Sequence, residues 1–474
     1  MFLNKRILAA LLAALMLGCT LSACQNAPVP ASSAAAAVEA ASSEPASDSS
    51  EPDISKQSAA SSKKQAASSK KPAASSAIPK AVDTVEAVVV NDLPSPDTTP
   101  KVEIPPLQIG SNYPALAESD YRCYNLLNPL QKQVYSKLRD IAAAMTDGDT
   151  IPVCSLDDLH LAFVALRNDY PQYFWLPRRY GGSFVPGSKT KINMVCFRFE
   201  DPETGEKYDY LYTPAQAKNR TEALNAALGT ALSQIPADMD EYGRQLWLHD
   251  WLCARLTYDR VAADEVIANG GTHTSHPDSF SAYGALTSAA VVCEGYTRGW
   301  QLLLYQVGIQ SSPVIGVANN TSGYGAHMWS LMSIGGEWFY SDITWNDGDV
   351  SHHAYFNLPY DYMALDHDFY DPFSAENNVE FNFKLPVATT FTQNYAVRNG
   401  LMITSGMDVA AQITAAVSAA AADQKNRLEL LYGPGITPLS VLNLRAAVQA
   451  AGISMKGFSQ KPTLSGGKAN HLTW

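Results

Sequence analysis

The sequence has no excess of basic residues and no basic stripe. Its 34 lysines and arginines are outnumbered by 46 aspartates and glutamates, which gives a formal net charge of −12. Proteins that bind nucleic acid depend on clustered positive charge or on a recognised reading motif, and neither is present here. The composition therefore predicts that nucleic acid is not a partner.

Cysteine is scarce, and its spacing fits neither a disulfide scaffold nor a CxxC metal site. Of the seven cysteines, Cys19 and Cys24 lie near the N-terminus. The other five are Cys123, Cys154, Cys196, Cys253 and Cys293. An odd number outside the cytosol leaves at least one thiol unpaired. We expect most of the five to be reduced and buried, and the count permits a reactive Cys293.

Long apolar runs are missing, apart from one at the start of the chain. Lys5 and Arg6 precede a run over 7–17 that is too short to span a bilayer comfortably, and small residues follow. This order is typical of an export signal, here predicted over 1–23. Leu21-Ser22-Ala23-Cys24 resembles a bacterial lipobox, with a poorer version ending at Cys19. The resemblance implies lipidation of Cys24 and a protein anchored on the outer face of a membrane; a signal cut elsewhere is the alternative.

Large apolar residues are nearly absent between Gln25 and about Pro105. Ala, Ser, Pro and Lys dominate, in stretches such as KQSAASSKKQAASSKKPAASS. This composition buries too little surface to offset the entropy of ordering, so we predict a disordered tether over 24–110. A flexible coil of ~80 residues spans roughly 50 Å. The rest of the chain is long enough for several modules, which we predict at 111–236, 237–375 and 384–474.

The first and third modules show hydrophobic periodicity without features of a chemical site. In the first, PLQKQVYSKLRDIAAAM predicts a helix, and a second helix capped by Ser155 should end before Pro171. KINMVCFRFE predicts a strand and RTEALNAALGTALSQI a further helix. His160 lies alone on the second helix, so we interpret it as a structural residue.

The third module is predicted to be a small α/β unit. NYAVRNGLMI predicts strand, turn and strand, MDVAAQITAAVSAAAADQ a helix, and NRLELLYG a strand. A last helix is predicted with Thr437 as its cap and Pro438 at the first helical position.

The second module opens with a helix for which Asp238 is the predicted cap. His249 lies on the apolar stripe of that helix, so we expect a buried, hydrogen-bonded histidine. His273 and His276 follow in a polar loop. They lack a third clear ligand and a helical frame, so no metal site is predicted.

Cys293 immediately precedes an amphipathic run. Tyr296, Trp300 and Leu304 recur at helical spacing, and Gly308 should end the helix. Cys293 then lies in the first turn, where the helix dipole favours a thiolate. A buried core cysteine is the simpler alternative, but Cys293 lies off the centre of the apolar stripe.

A two-stranded hairpin follows and carries a histidine and an aspartate. His327 is predicted to begin the strand HMWSLMSI, Gly335 and Gly336 to form the turn, and EWFYSDITW to return. Pairing the strands about the turn places Asp342 near His327. A carboxylate there could orient the imidazole toward a thiol on the helix.

At these residues the chain resembles the transglutaminase-like superfamily, relatives of papain-type cysteine proteases, and its bacterial surface branch most strongly. The matching pieces, YGALTSAAVVCEGYTRG and HMWSLMSIGGEWFYSDITWND, carry cysteine, histidine and aspartate in the family's order and lie within 238–370. The resemblance implies an α+β fold in which a helix bearing the cysteine packs on an antiparallel sheet. Met328 departs from the alanine that relatives often have and could narrow the cleft.

The resemblance also implies roles for individual residues. Cys293 is the expected nucleophile, His327 the general base and Asp342 the orienting acid. The Cys293 backbone N–H and a side-chain donor would bind the oxyanion, with Tyr283 as the first candidate and Tyr258 as another.

The chemistry so implied is acyl transfer or hydrolysis at peptide or amide bonds of a protein, a peptide or a peptidoglycan peptide. Neither a metal nor an organic cofactor is expected. Hydrolysis and cross-linking share one thioester, so both remain open. The alternative is a non-catalytic surface lipoprotein that binds cell wall or protein through the same cleft.

Overall fold

The computed structural model describes residues 86–89, 93, 95–107, 112–269, 274–320, 323–348, 352–369, 383–404, 408–462 and 468–474. The export signal, Cys24 and His273 lie outside the described residues, as does most of the predicted tether.

The described residues form helices and sheets in mixed order. The helices are α1 Arg122–Leu126, α2 Pro129–Ala144, α3 Leu156–Asp169, α4 Pro214–Ser233, α5 Glu241–Cys253, α6 Arg260–Ala268, α7 Ala282–Thr287, α8 Cys293–Tyr305, α9 Ile343–Asn346, α10 Tyr360–Met363, α11 Tyr395–Arg398, α12 Val409–Ala422 and α13 Val441–Ala450. The strands are β1 Glu86–Val89, β2 Gly148–Cys154, β3 Arg179–Phe184, β4 Ile192–Cys196, β5 Phe199–Glu200, β6 Lys207–Tyr208, β7 Thr257–Tyr258, β8 Ala290–Val291, β9 Ser311–Asn320, β10 Gly323–Ile334, β11 Glu337–Ser341, β12 His367–Asp368, β13 Met402–Ile403, β14 Arg427–Tyr432, β15 Gly457–Pro462 and β16 Lys468–Thr473.

Three four-stranded sheets organise this part of the chain. Their strand orders are β1-β3-β4-β2, β11-β10-β9-β12 and β13-β14-β16-β15. In the second sheet every neighbouring pair is antiparallel, and α8 packs against β9 and β10. The fold is therefore α+β, as predicted, with a cysteine-bearing helix on an antiparallel sheet.

The first two predicted modules share one hydrophobic core. Trp175 of the first and Trp300 of α8 are both fully buried and belong to a single cluster. Polar contacts join them as well, since the Arg298 guanidinium donates to the carbonyl of Arg167 at 2.8 Å. The predicted boundary at 236/237 thus does not divide the core. The C-terminal region has a cluster of its own around Leu430 and Val448.

Helix ends follow local capping chemistry where the sequence signal is strong. Ser155 caps α3 in a reciprocal capping box with Asp158, and α3 ends at Asp169, before Pro171, as predicted. The helix predicted at RTEALNAALGTALSQI starts earlier, at Pro214, because Thr213 forms a capping box with Gln216.

Two predicted caps are wrong. Asp238 has a φ of +62°, whereas a cap residue is extended. Asp240 caps α5 instead, accepting from the Gly243 N–H at 2.7 Å. Thr437 is likewise replaced by Ser440, so the last helix begins at Val441.

Strands were predicted less well than helices. The first half of NYAVRNGLMI is the helix α11, because Asn394 caps it and accepts from two backbone N–H groups. The hairpin of β15 and β16 was not predicted. In KINMVCFRFE the strand β4 ends at Cys196. Val195 is buried, whereas Met194 is only half-buried. The register of the pairing between β4 and β3 shifts beside Met194.

A strand lies within the segment that was predicted to be a tether. β1, within the predicted tether, pairs in parallel with β3, where its β-branched residues suit a strand.

Candidate active site

Cys293 is the first residue of α8, as predicted. The cap position is held by Val292, which has no side-chain oxygen to accept from the first-turn N–H groups. Those groups and the helix dipole therefore favour negative charge beside the Cys293 sulfur. Residues 294–305 of α8 are all buried, so the helix has no single apolar face as the periodicity had suggested. Cys293 itself is only half-buried.

Glu294 anchors this first turn. Its carboxylate accepts from Arg298 Nε at 2.7 Å and from Arg178 at 3.3 Å, and all three side chains are at least 80% buried. The sequence analysis missed this group, although a glutamate four residues before an arginine on a helix is a recognisable pairing signal. The ion pairs fix the residue that follows Cys293.

The hairpin of β10 and β11 brings His327 and Asp342 close together. Gly335 and Gly336 form its turn with φ values of +60° and +80°, as predicted. His327 lies within β10 rather than at its start, because the strand extends back to Gly323. The predicted return strand ends at Ser341, and Asp342 instead caps α9 by accepting from the Trp345 N–H at 3.1 Å.

The imidazole of His327 lies between the carboxylate and the thiol. His327 Nε2 is 2.7 Å from Asp342 Oδ2, and the Cys293 side chain is close enough to His327 to influence its charge. Since Nε2 faces Asp342, Nδ1 is the nitrogen left for the sulfur. The rings of Trp329 and Trp345 flank the imidazole at 6.1 and 5.6 Å between centroids and limit its movement.

The charges of these groups depend on one another. Burial opposes a charged His327, but the Asp342 carboxylate and the Cys293 side chain outweigh it and raise the pKa of His327 to about 10. Burial also opposes ionisation of Asp342, yet His327 and His367 hold the pKa of that carboxyl well below its usual range. The arrangement therefore favours an imidazolium paired with the Asp342 carboxylate.

Two tyrosines were candidates for the oxyanion donor, and their surroundings differ. The Tyr283 ring packs on Phe174 at 5.2 Å and lies beneath the Arg220 guanidinium, which is the environment of a core aromatic. Tyr258 lies on β7 and pairs with Val291 of β8, which is two residues before Cys293. It is 41% exposed and close enough to interact electrostatically with the Cys293 side chain. Tyr258 therefore lies beside the segment that leads into Cys293.

His367 was not predicted to belong to the site. This fully buried residue on β12 places its Nε2 3.1 Å from Asp342 Oδ2, so two imidazoles share one carboxylate oxygen. No local pattern connects His367 to Asp342, because they are brought together by the pairing of β12 with β9.

The other cysteines of the described residues are buried and form no disulfide, namely Cys123, Cys154, Cys196 and Cys253. Burial raises the pKa of Cys154 and of Cys196 to about 11, and it raises the pKa of Cys123 further. A protonated thiol is a poor nucleophile. Among the cysteines of the described segments, Cys293 is thus the accessible one.

The histidines interpreted as structural are buried and bonded. His160 Nδ1 lies 3.2 Å from the Tyr180 hydroxyl. His249 is fully buried, with Nδ1 at 2.8 Å from Asp250 and Nε2 at 3.1 Å from the Asn346 amide. His276 is exposed on its loop.

Two groups of side chains have ligand atoms close enough to hold a metal ion: His327 with Asp342 and His367, and His249 with Asp250 and His353. In the second group, Asn346 Oδ1 accepts from the Tyr355 N–H, so its amide nitrogen must donate to His249 Nε2. His249 Nδ1 then carries the proton and donates to Asp250, so this nitrogen has no lone pair to offer a metal, and Nε2 is already occupied by the Asn346 amide. In the first group a metal would replace the hydrogen bonds that orient His327.

No protein-family model matches the chain, and no curated protein matches it. Solved structures that resemble it include a TGase, at 10% identity and a TM-score of 0.25, over 48% of this chain and 54% of that one. A proposed cysteine protease from Cytophaga hutchinsonii matches at 16% identity and a TM-score of 0.20, over 33% of this chain and 52% of its own. A proposed protease from Parabacteroides distasonis matches at 10% identity and a TM-score of 0.22, over 62% and 65%.

A TGase and two proposed proteases are thus among the solved structures that this chain resembles. The chain spans between about half and two-thirds of their lengths, and at these TM-scores the similarity carries no argument about reaction or substrate. The site geometry must carry that argument. Within the described part of the chain, no helix is both long and apolar enough to cross a bilayer.

Proposed function

We propose that the protein is a cysteine-dependent acyl-transfer enzyme that acts on peptide or amide bonds through Cys293, His327 and Asp342. The observation that carries the proposal is the buried His327–Asp342 contact of 2.7 Å beside a half-buried cysteine at a helix N-terminus. A nucleophile, a base and a group that orients the base define an activated nucleophile.

In the proposed reaction, the Cys293 thiolate attacks the carbonyl carbon of the substrate. The resulting oxyanion is stabilised by the Cys293 N–H and by Tyr258. The C–N bond then breaks, His327 gives its proton to the leaving amine, and a thioester remains. Water or a second amine next attacks the thioester carbonyl while His327 takes up its proton. The C–S bond then breaks, which releases an acid or a new amide and restores the Cys293 thiolate. The class of acceptor decides between hydrolysis and cross-linking.

The first test is the rate at which iodoacetamide alkylates each cysteine at neutral pH, followed by mass spectrometry. Cys293 should react at least about tenfold faster than the same cysteine in the urea-unfolded protein, because its thiolate is stabilised. The buried Cys154 and Cys196 serve as internal controls and should stay unmodified. Equal rates for folded and unfolded Cys293 would reject the proposal.

The second test is capture of the acyl-enzyme from libraries of peptides and cell-wall fragments. A mass increase on Cys293 that is absent from Cys293→Ala supports catalysis and identifies the acyl donor. A protein that binds a library member without forming an adduct, and that retains its partners as Cys293→Ala, would instead be a binding module.

We also propose that the chain is exported and anchored to the outer face of a membrane through lipid on Cys24. The support is the sequence alone, namely the apolar run over 7–17 followed by Leu21-Ser22-Ala23-Cys24. Metabolic labelling with a fatty acid should mark the wild type and not Cys24→Ser, and only the wild type should sediment with membranes. An unlabelled wild type would reject the anchor.

A further inference from the structure

His367 lies behind the catalytic carboxylate in a box of aromatic rings. Its ring centroid is 4.5 Å from that of Trp345, 4.9 Å from that of Trp329 and 5.6 Å from that of Tyr355. β12 fixes its backbone opposite Ala318 of β9. The imidazole therefore has little freedom to turn.

Both ring nitrogens of His367 face carboxylates. Nε2 is 3.1 Å from Asp342 Oδ2, and Nδ1 is 2.7 Å from Asp366 Oδ1. The other Asp366 oxygen accepts from the Tyr355 hydroxyl at 2.8 Å. A continuous chain of hydrogen bonds thus runs from His327 through Asp342, His367 and Asp366 to Tyr355.

Asp342 needs this support because it is fully buried. A carboxylate removed from water is stable only when its oxygens accept hydrogen bonds. Oδ1 accepts from the Trp345 N–H, which the helix α9 provides locally. Oδ2 accepts from His327, and within the described residues His367 is the second imidazole that lies against that oxygen.

We infer that His367 is a positioning residue for the proposed reaction, and that its hydrogen bond fixes the Asp342 carboxylate in the orientation that binds His327. This inference rests on the proposed function. His367 touches neither the thiol nor a substrate; it acts through Asp342.

The test compares replacements that keep or remove the donor. The amide nitrogen of His367→Gln can take the place of Nε2, whereas His367→Phe and His367→Leu fill the space without any donor. The readout is the rate of Cys293 alkylation by iodoacetamide between pH 5 and pH 10. His160→Phe, the same change at a buried histidine outside the site, is the matched control.

The donor-free variants should react about 10- to 100-fold more slowly than the wild type at pH 6, the usual cost of removing the partner that orients a functional imidazole in metal sites. All variants should converge above pH 9, where a thiol ionises without help. His367→Gln should stay close to the wild type at every pH. A loss of alkylation rate that is confined to low pH indicates that the thiolate–imidazolium pair is weakened. A general loss of packing would not be confined to low pH.

The outcomes separate this inference from the proposed function. If wild-type Cys293 is not activated at pH 6, the proposed function and the inference both fail. If the wild type is activated and the donor-free variants keep its profile, or if His367→Gln falls as far as they do, only the inference is overturned. If neither donor-free variant is soluble, His367→Gln decides: a wild-type profile supports the inference, and a fall equal to that of Asp342→Asn overturns it.

Discussion

At the scale of single residues, the site depends on the balance between burial and charge. The His327 side chain is 9% exposed and that of Asp342 is fully buried, so neither would be ionised alone. Each side chain stabilises the charged form of the other, and the Cys293 side chain also favours the charged form of His327. The charge of His327 is therefore a property of the group rather than of one side chain.

Replacing Asp342 by asparagine should lower the pKa of His327. In the wild type the imidazolium persists until the pH rises through about 10. Without the carboxylate, burial dominates, so the proton should be lost below the ordinary value of about 6.5. NMR titration of the His327 ring protons measures both midpoints, with Asp250→Asn as control. Equal midpoints in the wild type and Asp342→Asn would contradict this account of the charge balance.

Tyr258 and Tyr283 can be separated by the same substitution. Tyr258→Phe should slow acyl-enzyme formation about 100-fold, the typical cost of one oxyanion donor, because no hydroxyl then meets the developing charge. Alkylation of Cys293 forms no oxyanion and should not change. Tyr283→Phe is the control and should leave both rates near those of the wild type. Slower acyl-enzyme formation in Tyr283→Phe, with an unchanged rate in Tyr258→Phe, would identify Tyr283 as the donor.

At the scale of elements, close packing of glycines sets the position of α8. A Cβ on Gly299 would lie 2.4 Å from the Cβ of Ala285 on α7. A Cβ on Gly295 would lie 2.5 Å from the carbonyl oxygen of Ser279 and 2.7 Å from Val291 Cβ. All three distances are too short for real contacts, so the helix can occupy this place only with glycine at these positions.

Gly295→Ala should therefore displace the start of α8 and weaken the site. Overpacking of this kind costs about 1–3 kcal/mol of unfolding free energy, and Cys293 should be alkylated more slowly at pH 6 because it moves away from His327. Urea unfolding and alkylation measure the two effects. The control is Gly325→Ala on β10, where a Cβ meets nothing within 4 Å. Equal behaviour of the two variants would show that the tight packing does not position the cysteine.

At the scale of the whole molecule, His353 connects the proposed catalytic region to the C-terminal region. Its Nε2 lies 2.8 Å from Asp250 on α5, and its Nδ1 lies 3.2 Å from Glu429 on β14. The ring also stacks on Tyr395 at 3.9 Å. One imidazole thus bridges carboxylates from two regions with separate hydrophobic clusters.

This bridge should make stability depend on pH. Burial opposes the charged ring, but hydrogen bonds to Asp250 and Glu429 outweigh it and raise the pKa of His353 to about 9. A raised pKa in the folded state means that the stabilisation is complete below about pH 6.5 and is lost as the pH rises through about 9. The free energy of unfolding should fall by up to about 3 kcal/mol over this range, at 1.36 kcal/mol per pKa unit.

The urea midpoint at pH 6 and at pH 9.5 measures this effect. The wild type should lose stability between the two values, and His353→Gln should show a smaller difference. His276→Gln, on an exposed residue, should behave as the wild type. The same difference in His353→Gln and the wild type would exclude His353 as the source.

The sequence by itself determined several local features of this protein. It determined the start of α8 at Cys293, the cap at Ser155 and the turn at Gly335-Gly336. It also determined that His327 and Asp342 lie near one another, because a two-residue turn fixes the register of a hairpin. Each of these features depends on interactions between residues close in the chain.

Only the tertiary structure decided which buried groups meet. His367 reaches Asp342 across 25 residues, His353 reaches Glu429 across 76, and both depend on the docking of separate elements. Burial of α8 on every side likewise follows from the packing around it, which no periodicity within the helix can specify. Local propensities fix dihedral angles over a few residues, whereas contacts between distant residues are fixed by the joint packing of the whole core.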